Sequence, residues 1–320
     1  MKGIHRIIVQ NKRVKYDFEL RRNITVLRGD SATGKTNLVE MIREYSDNGV
    51  NSSIELSCDK ACYVLEGATW RGQLSVMKDS IVFIDEGSPF VLTNEFATVI
   101  QQTDNYYVII NREGLANLPY SVEEVYGIRL SGKYGGLKQL FNEFYHIYGS
   151  QQFNEAIQPD MLMLEDSNAG FQFFCGVCSE GITCISANGK SHILGKIKEC
   201  ASARNILVIA DGAAFGSEMN RMVFYMREHR SIRLFLPESF EWLILESGLI
   251  KSPGLSAILA TPSDFIESSD YFSWERFFTH LLTEVTRETH FQYSKNRLNP
   301  FYLSDTVKKV ILKNFPYIHL

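Results

Sequence analysis

No apolar run in the sequence approaches the length of a membrane-spanning helix, and the opening residues Met1-Lys2-Gly3-Ile4-His5-Arg6 contain no signal-peptide core. The expectation is a cytoplasmic protein with no membrane partner. Excess charge of either sign is also missing. A formal net charge of -4, from 33 Lys+Arg against 37 Asp+Glu, argues against a surface coated in basic residues for nucleic acid, although a local basic groove is compatible with it. Cysteine is sparse, with six in the chain, and all are expected reduced in that compartment. Cys175-Gly176-Val177-Cys178 has no second pair at zinc-ribbon spacing and lies in an apolar, helix-like stretch from Phe171 to Val177, so it reads as packing. Cys58 and Cys62 read as structural. His280 and His290 have no third partner at a ligand spacing and read as surface or core residues.

What is present is a chain of 320 residues with 45% hydrophobic and 22% charged residues, a globular composition long enough for two domains. Its strongest local signal is Gly29-Asp30-Ser31-Ala32-Thr33-Gly34-Lys35-Thr36, a full match to G-x-x-x-x-G-K-[ST]. The β-branched run Asn23 to Arg28 before it reads as a buried strand, and Asn37 to Glu44 after it has helical spacing, which is the context the motif requires. Gly29 and Gly34 let backbone approach a polyphosphate closely, with amide N–H groups from Asp30, Ser31, Ala32 and Thr33 and the helix start around Asn37 supplying positive potential. Lys35 is expected to reach the β- and γ-phosphates, and the Thr36 hydroxyl to hold Mg²⁺. The implied ligands are ATP and Mg²⁺; no motif selecting guanine is apparent.

Two further strand ends suit the same chemistry. Ser80-Ile81-Val82-Phe83-Ile84-Asp85-Glu86 has the Walker B pattern, a buried strand that delivers Asp85 to the metal and Glu86 to the attacking water. Asn105 to Ile110 is another apolar strand, and Asn111 at its end is placed to act as a polar sensor. Arg112 reads as a solvated or pairing residue more readily than as an arginine finger. Leu130-Ser131-Gly132-Lys133 is read as a loop. Ahead of the nucleotide strand, Ile4–Val9 and Val14–Leu20 form an expected hairpin, and Leu137 to Tyr148 looks helical.

After a polar break at Gly149-Ser150, a second α/β pattern begins. Apolar strands at Met161–Leu164, Gly181–Ser186, Asn205–Ala210 and Ser231–Leu236 alternate with helices, which implies a mostly parallel sheet with ligands beyond the carboxyl ends of its strands. Acids gather at that edge: Glu165, Asp211, and Glu238 with Glu241. The acidic strand end at Glu165 with Gly170 after it, the segment GITCISANGKS from Gly181 to Ser191, the strand ending at Asp211 and the LPESFEW segment from Leu236 to Trp242 together resemble a Toprim domain. In particular they resemble the version in OLD-family nucleases, in which a P-loop ATPase precedes a Toprim nuclease. The resemblance implies an α/β fold with a P-loop NTPase domain at 1–150, a Toprim-like domain at 158–250 and a helical extension at 251–320 packed on the second domain. It further implies that Glu165, Asp211 and Glu241 hold Mg²⁺ for cleavage of DNA or RNA, with anti-phage defence as the setting and a homo-oligomer or partner protein as the assembly. The chain departs from the family's D-x-D at Ala213, so one ligand is missing unless Glu218, Glu238 or Glu241 replaces it. The alternative expectation is a regulatory or sensor ATPase whose second domain is catalytically inactive and binds a partner.

Overall fold

A computed structural model describes residues 1–29, 34–131, 139–149, 156–200, 205–315 and 318–320. The protein is mixed α/β and divides into two units, Met1–Gly149 with Thr261–Phe272, and Ser150–Ala260 with Ser273–Leu320.

The first unit is built on one nine-stranded sheet. In chain order its elements are β1 (His5–Gln10), β2 (Val14–Leu20), β3 (Ile24–Leu27), α1 (Lys35–Asn48), β4 (Glu55–Ser57), β5 (Ala61–Val64), α2 (Trp70–Val76), β6 (Ser80–Ile84), α3 (Asn94–Ile100), β7 (Tyr106–Ile110), β8 (Val125–Leu130) and β9 (Leu140–His146). The strand order is β4-β1-β2-β9-β8-β3-β7-β6-β5, and the run from β8 to β5 is parallel. Every residue of β3, β6 and β7 is buried, as expected for parallel strands covered on both faces. The two-residue period sorts them cleanly. Leu27, Ile81, Phe83, Val108 and Ile110 pack with Leu38, Val39, Met41 and Ile42 of α1, and Val26, Val82, Ile84, Tyr107 and Ile109 pack with Trp70, Leu74, Phe96 and Ile100 of α2 and α3. Burying the four apolar side chains of α1 contributes about 6–12 kcal/mol, at about 1.5–3 kcal/mol each, which holds the helix against the sheet.

Two expectations about this unit are corrected. The helix expected over Leu137 to Tyr148, of which 137 and 138 lie outside the described residues, is a strand where described: Leu140–His146 is β9, antiparallel to β8 and parallel to β2, with Phe144 stacked on Phe18 at 4.0 Å between ring centroids. The extension at 251–320 does not pack wholly on the second unit. Thr261–Phe272 belongs to the first, where the Met1 ammonium meets Glu267 and the Ser268 hydroxyl, and Asn23 Nδ2 donates to the Phe272 carbonyl at 2.9 Å. The polar ends of β1 and β3 capture this segment through hydrogen bonds.

The second unit has a four-stranded parallel sheet, β10 (Met161–Leu164), β11 (Thr183–Ser186), β12 (Ile206–Ile209) and β13 (Ile232–Phe235), in the order β11-β10-β12-β13. Its helices are α4 (Ala169–Val177), α5 (Ile193–Glu199), α6 (Met219–Glu228), α7 (Phe240–Glu246), α8 (Leu255–Ala260), α9 (Trp274–Val285) and α10 (Asp305–Leu312). Right-handed crossovers put α4 on one face and α5 beside α6 on the other. On the α4 face, Phe173, Phe174, Phe240 and Phe315 form an aromatic cluster with centroid separations of 5.2–5.8 Å. Cys178 does not pair with Cys175; its sulfur lies 3.4 Å from that of Cys184 on β11.

Candidate nucleotide site and acidic pocket

In the first unit, β3, β7 and β6 are adjacent and parallel, with Leu27 opposite Ile110 and Ile84 opposite Ile109. The chain leaving each strand therefore emerges at one edge: Arg28-Gly29 from β3, Asn111-Arg112 from β7 and Asp85-Glu86 from β6. Gly34 closes the loop in the left-handed region at φ 90 and precedes the first turn of α1. A side chain could not be accommodated there, since a Cβ would come within 2.8 Å of the Tyr16 hydroxyl. That hydroxyl donates to the Gly34 carbonyl at 2.8 Å and accepts from Asn37 Nδ2 at 3.0 Å. Lys35 is buried, and its ammonium folds back onto the Gly29 carbonyl at 2.8 Å. Thr36 and Asn37 are exposed on the same turn. Asp30, Ser31, Ala32 and Thr33 lie outside the described residues, as do Gly132 and Lys133.

Asp85 sits just past β6 and accepts from the Glu86 N–H at 2.8 Å. Glu86 is paired with Arg112 Nε at 2.5 Å, within the same chain. Asn111 is tied into the edge by its N–H to the Leu27 carbonyl at 3.2 Å, and its Oδ1 accepts from the Glu113 N–H at 2.7 Å. Sequence reasoning missed two residues that brace this edge. Tyr16 carries no local motif. The buried Arg28 donates to the Tyr148 hydroxyl at 2.9 Å and to the Arg112 carbonyl at 3.1 Å, linking the ends of β3 and β7.

In the second unit, Glu165, Asp211 and Glu241 line one cavity of about 40 Å³ together with Tyr293 and Lys295, a space for a water or a single small ion. The Asp211 N–H donates to Glu165 at 3.2 Å. Gly212 has no room for a side chain because a Cβ would meet the Leu236 carbonyl oxygen at 2.5 Å, so the ends of β12 and β13 approach through a glycine. Ala213 is buried, with its N–H on the Glu238 carbonyl. Of the three acids that could replace the missing ligand, Glu241 alone among the described residues lines the cavity; Glu218 is buried at the start of α6 beside Ser217, with Arg221 at 3.8 Å.

These acids are already balanced by neighbours. Tyr293 donates its hydroxyl to Glu241 at 2.7 Å, and Lys295 is paired with Glu275. Burial pushes the Glu165 carboxyl up to about 7. Burial, then Glu275, Glu165 and Glu241, holds Asp211 well above the ordinary carboxylate range. For Lys295, burial favours the neutral amine, but Glu275, Glu241 and Asp211 outweigh it and raise its pKa. Lys190 is the opposite case, lowered by burial in spite of Glu165 and Glu218, and it donates to the Ala214 carbonyl at 2.6 Å. Among the described residues, no three His, Cys, Asp or Glu side chains are set to hold one metal ion. The oxygen chemistry of Glu165, Asp211 and Glu241 suits a hard cation, but Tyr293 already donates to Glu241 and the Lys295 side chain shares the cavity, so the three acids as arranged are not set around one Mg²⁺. Tyr293, Lys295, Glu275 and Lys190 were not legible as site residues, since all but Lys190 lie far along the chain from Asp211. No helix among the described residues is long and apolar enough to cross a membrane. No protein-family model matches the chain, and a search of curated proteins finds no match to it.

Proposed function

We propose that the protein is an ATP-binding and ATP-hydrolysing P-loop protein whose second unit is a Toprim-like domain derived from a nuclease, and that this domain binds a partner and does not cut it. The observation that carries the first half is the shared edge of β3, β7 and β6, where Gly29, Asp85, Glu86 and Asn111 follow three neighbouring parallel strands and Lys35, at the start of α1, reaches back to the Gly29 carbonyl. Ligands of such sheets sit beyond the carboxyl ends of the strands. The donor set fits a nucleotide polyphosphate: a glycine in the left-handed region, a buried lysine and the N-terminus of a 14-residue helix. Thr36 and Asp85 would hold Mg²⁺, which supplies neutralisation of phosphate charge. Glu86 and Asn111 orient the attacking water, and Glu86 receives its proton.

The second half rests on the balanced pocket. Ala213 stands where the resembled family has an acid, Tyr293 donates to Glu241, and Lys295, paired with Glu275, lines the same cavity. A second reading, divalent-cation-dependent nucleic-acid cleavage, is favoured by Glu165, Asp211 and Glu241 lining one cavity. Two assays separate the possibilities. Phosphate release from ATP should fall at least tenfold in Glu86→Gln, because the proton acceptor is lost while binding is retained; equal turnover would remove the Walker B role. Nicking of plasmid DNA or labelled RNA in Mg²⁺ or Mn²⁺ should be absent in both wild type and Glu165→Ala. Cleavage by wild type that Glu165→Ala abolishes would establish the second reading instead.

A further inference from the structure

The face of the second unit opposite α4 carries a groove of about 410 Å³ between α5 and α6, lined by Leu194, Lys198, Asn220, Arg221, Phe224 and Tyr225. Among the described residues none of its lining side chains is a carboxylate, and Arg221 is paired with Glu218 at 3.8 Å. Leu194 is its buried floor, and Phe224 stands on its wall with 69% of its surface exposed. Exposure of a whole phenyl ring forgoes a burial worth more than most single contacts, and here the ring is not one of a larger apolar patch: Lys198 and Arg221 flank it. The Tyr225 ring beside it is already held flat. His229 stacks on it at 3.9 Å with 14° between the planes, and the Lys198 ammonium lies 5.3 Å from its centroid. Further along α6 and just beyond it, Arg227, Glu228, Arg230 and Arg233 are exposed, and on α5 Lys196 is half-buried and paired to Glu199.

The chemistry of this face restricts what can cover it. A second copy docking the same face across a two-fold axis would oppose like charges at close range. An apolar helix would strip water from Lys198 without supplying a counter-charge. A single-stranded nucleic acid supplies both kinds of partner, an unstacked base for the Phe224 ring and phosphates for the cations. A duplex would keep its bases stacked and offer phosphates alone. The volume falls within the span of about 300–1,000 Å³ typical of small-ligand clefts, enough for one nucleotide of such a strand.

We propose that the α5–α6 face binds single-stranded nucleic acid, with Phe224 stacking a base, Lys198 and Arg221 contacting phosphates and Asn220 reaching a base edge. The inference rests on the reading that the second unit binds a partner, and it names that partner's class. The test is fluorescence anisotropy of the full chain with labelled 20-nucleotide dT and rU strands and an abasic strand of equal length, in EDTA and without nucleotide. Wild type is expected to bind dT or rU, with the two arms telling DNA from RNA. Phe224→Ala should weaken that binding by about 5- to 150-fold, the span of one lost base stack, while leaving the abasic strand's affinity unchanged. Arg221→Ala should lower the slope of log affinity against log salt by about 0.7, the share of one phosphate on a single strand. No binding by wild type, or equal affinity in Phe224→Ala, would overturn the proposal. So would a change in assembly mass in Phe224→Ala without a change in strand binding, which would make the face a contact between copies. Lys35→Ala should bind strands as wild type does, so failure here and failure of the nucleotide reading are seen separately.

Discussion

Replacing Gly34 by alanine should damage the nucleotide loop in a way that a second, distant substitution partly repairs. The new Cβ would sit 2.8 Å from the Tyr16 hydroxyl, while its other near neighbours on that ring, at 3.7 Å, are in ordinary contact. Because Tyr16 is 1% exposed, its ring cannot swing aside without opening β2. An L-residue forced to the φ of 90 found at Gly34 carries about 1–2 kcal/mol of backbone strain. Displacing the hydroxyl removes its bonds to the Gly34 carbonyl and Asn37, about 1 kcal/mol each. Gly34→Ala should therefore destabilise the first unit by about 3–4 kcal/mol, and Tyr16→Phe alone by about 1–2 kcal/mol. In the double variant the two hydrogen bonds are lost once and not twice, so its destabilisation should fall about 2 kcal/mol short of the sum of the singles. Urea unfolding, followed as hydrogen-exchange protection of peptides from α1 and β2, reads this cycle locally. Additivity to within about 0.5 kcal/mol would refute the steric account of Gly34.

Two other consequences follow from the pairings at the two sites. Arg112→Ala should release Glu86 and raise basal ATP turnover about 2- to 10-fold while leaving stability within about 0.5 kcal/mol, since both partners of this ion pair are exposed. Turnover that drops to the level of Glu86→Gln would instead make Arg112 part of the positioning machinery. In the acidic pocket, a carboxyl whose folded pKa lies above its unfolded value binds its proton more tightly in the folded state, so stability is greatest at low pH and is lost as pH rises. For Glu165 that window runs from 4.5 to about 7. Raising pH from 5 to 8 should therefore lower the stability of the second unit, and Glu165→Gln should recover about 1–3 kcal/mol of that loss, the lower figure reflecting water at its half-buried side. Thermal unfolding across this range checks the sign, and a wild-type curve that climbs with pH alongside an unchanged variant would contradict it.

The parallel core of the first unit was legible because β3, β6 and β7 are unbroken apolar runs that end in Gly29, Asp85 and Asn111, and such strands carry their chemistry at one edge by construction. β9 was not, since Phe141, Phe144 and Tyr145 recur at spacings of three and four that fit a helix face as well as an aromatic-rich strand. Pairing with β2 and β8 decides between them, and pairing has no local signal. The acids Glu165, Asp211 and Glu241 could be found as strand and helix ends in one α/β pattern, and they do line one cavity. Their neutralising partners could not. Tyr293 and Lys295 reach the pocket from the segment after α9, where the local sequence shows only an aromatic and a lysine. The return of Thr261–Phe272 to the first unit is likewise a tertiary fact, carried by backbone hydrogen bonds such as Gly3 N–H to the Ser263 carbonyl at 2.7 Å.

Isothermal titration of the full chain with ATP in Mg²⁺ tests the proposed nucleotide site most directly. Lys35 is buried against the loop it would share with a polyphosphate, so wild type should give a saturable binding isotherm and Lys35→Ala none at the same concentrations. A flat trace for wild type, or matching isotherms for the two proteins, would contradict the account.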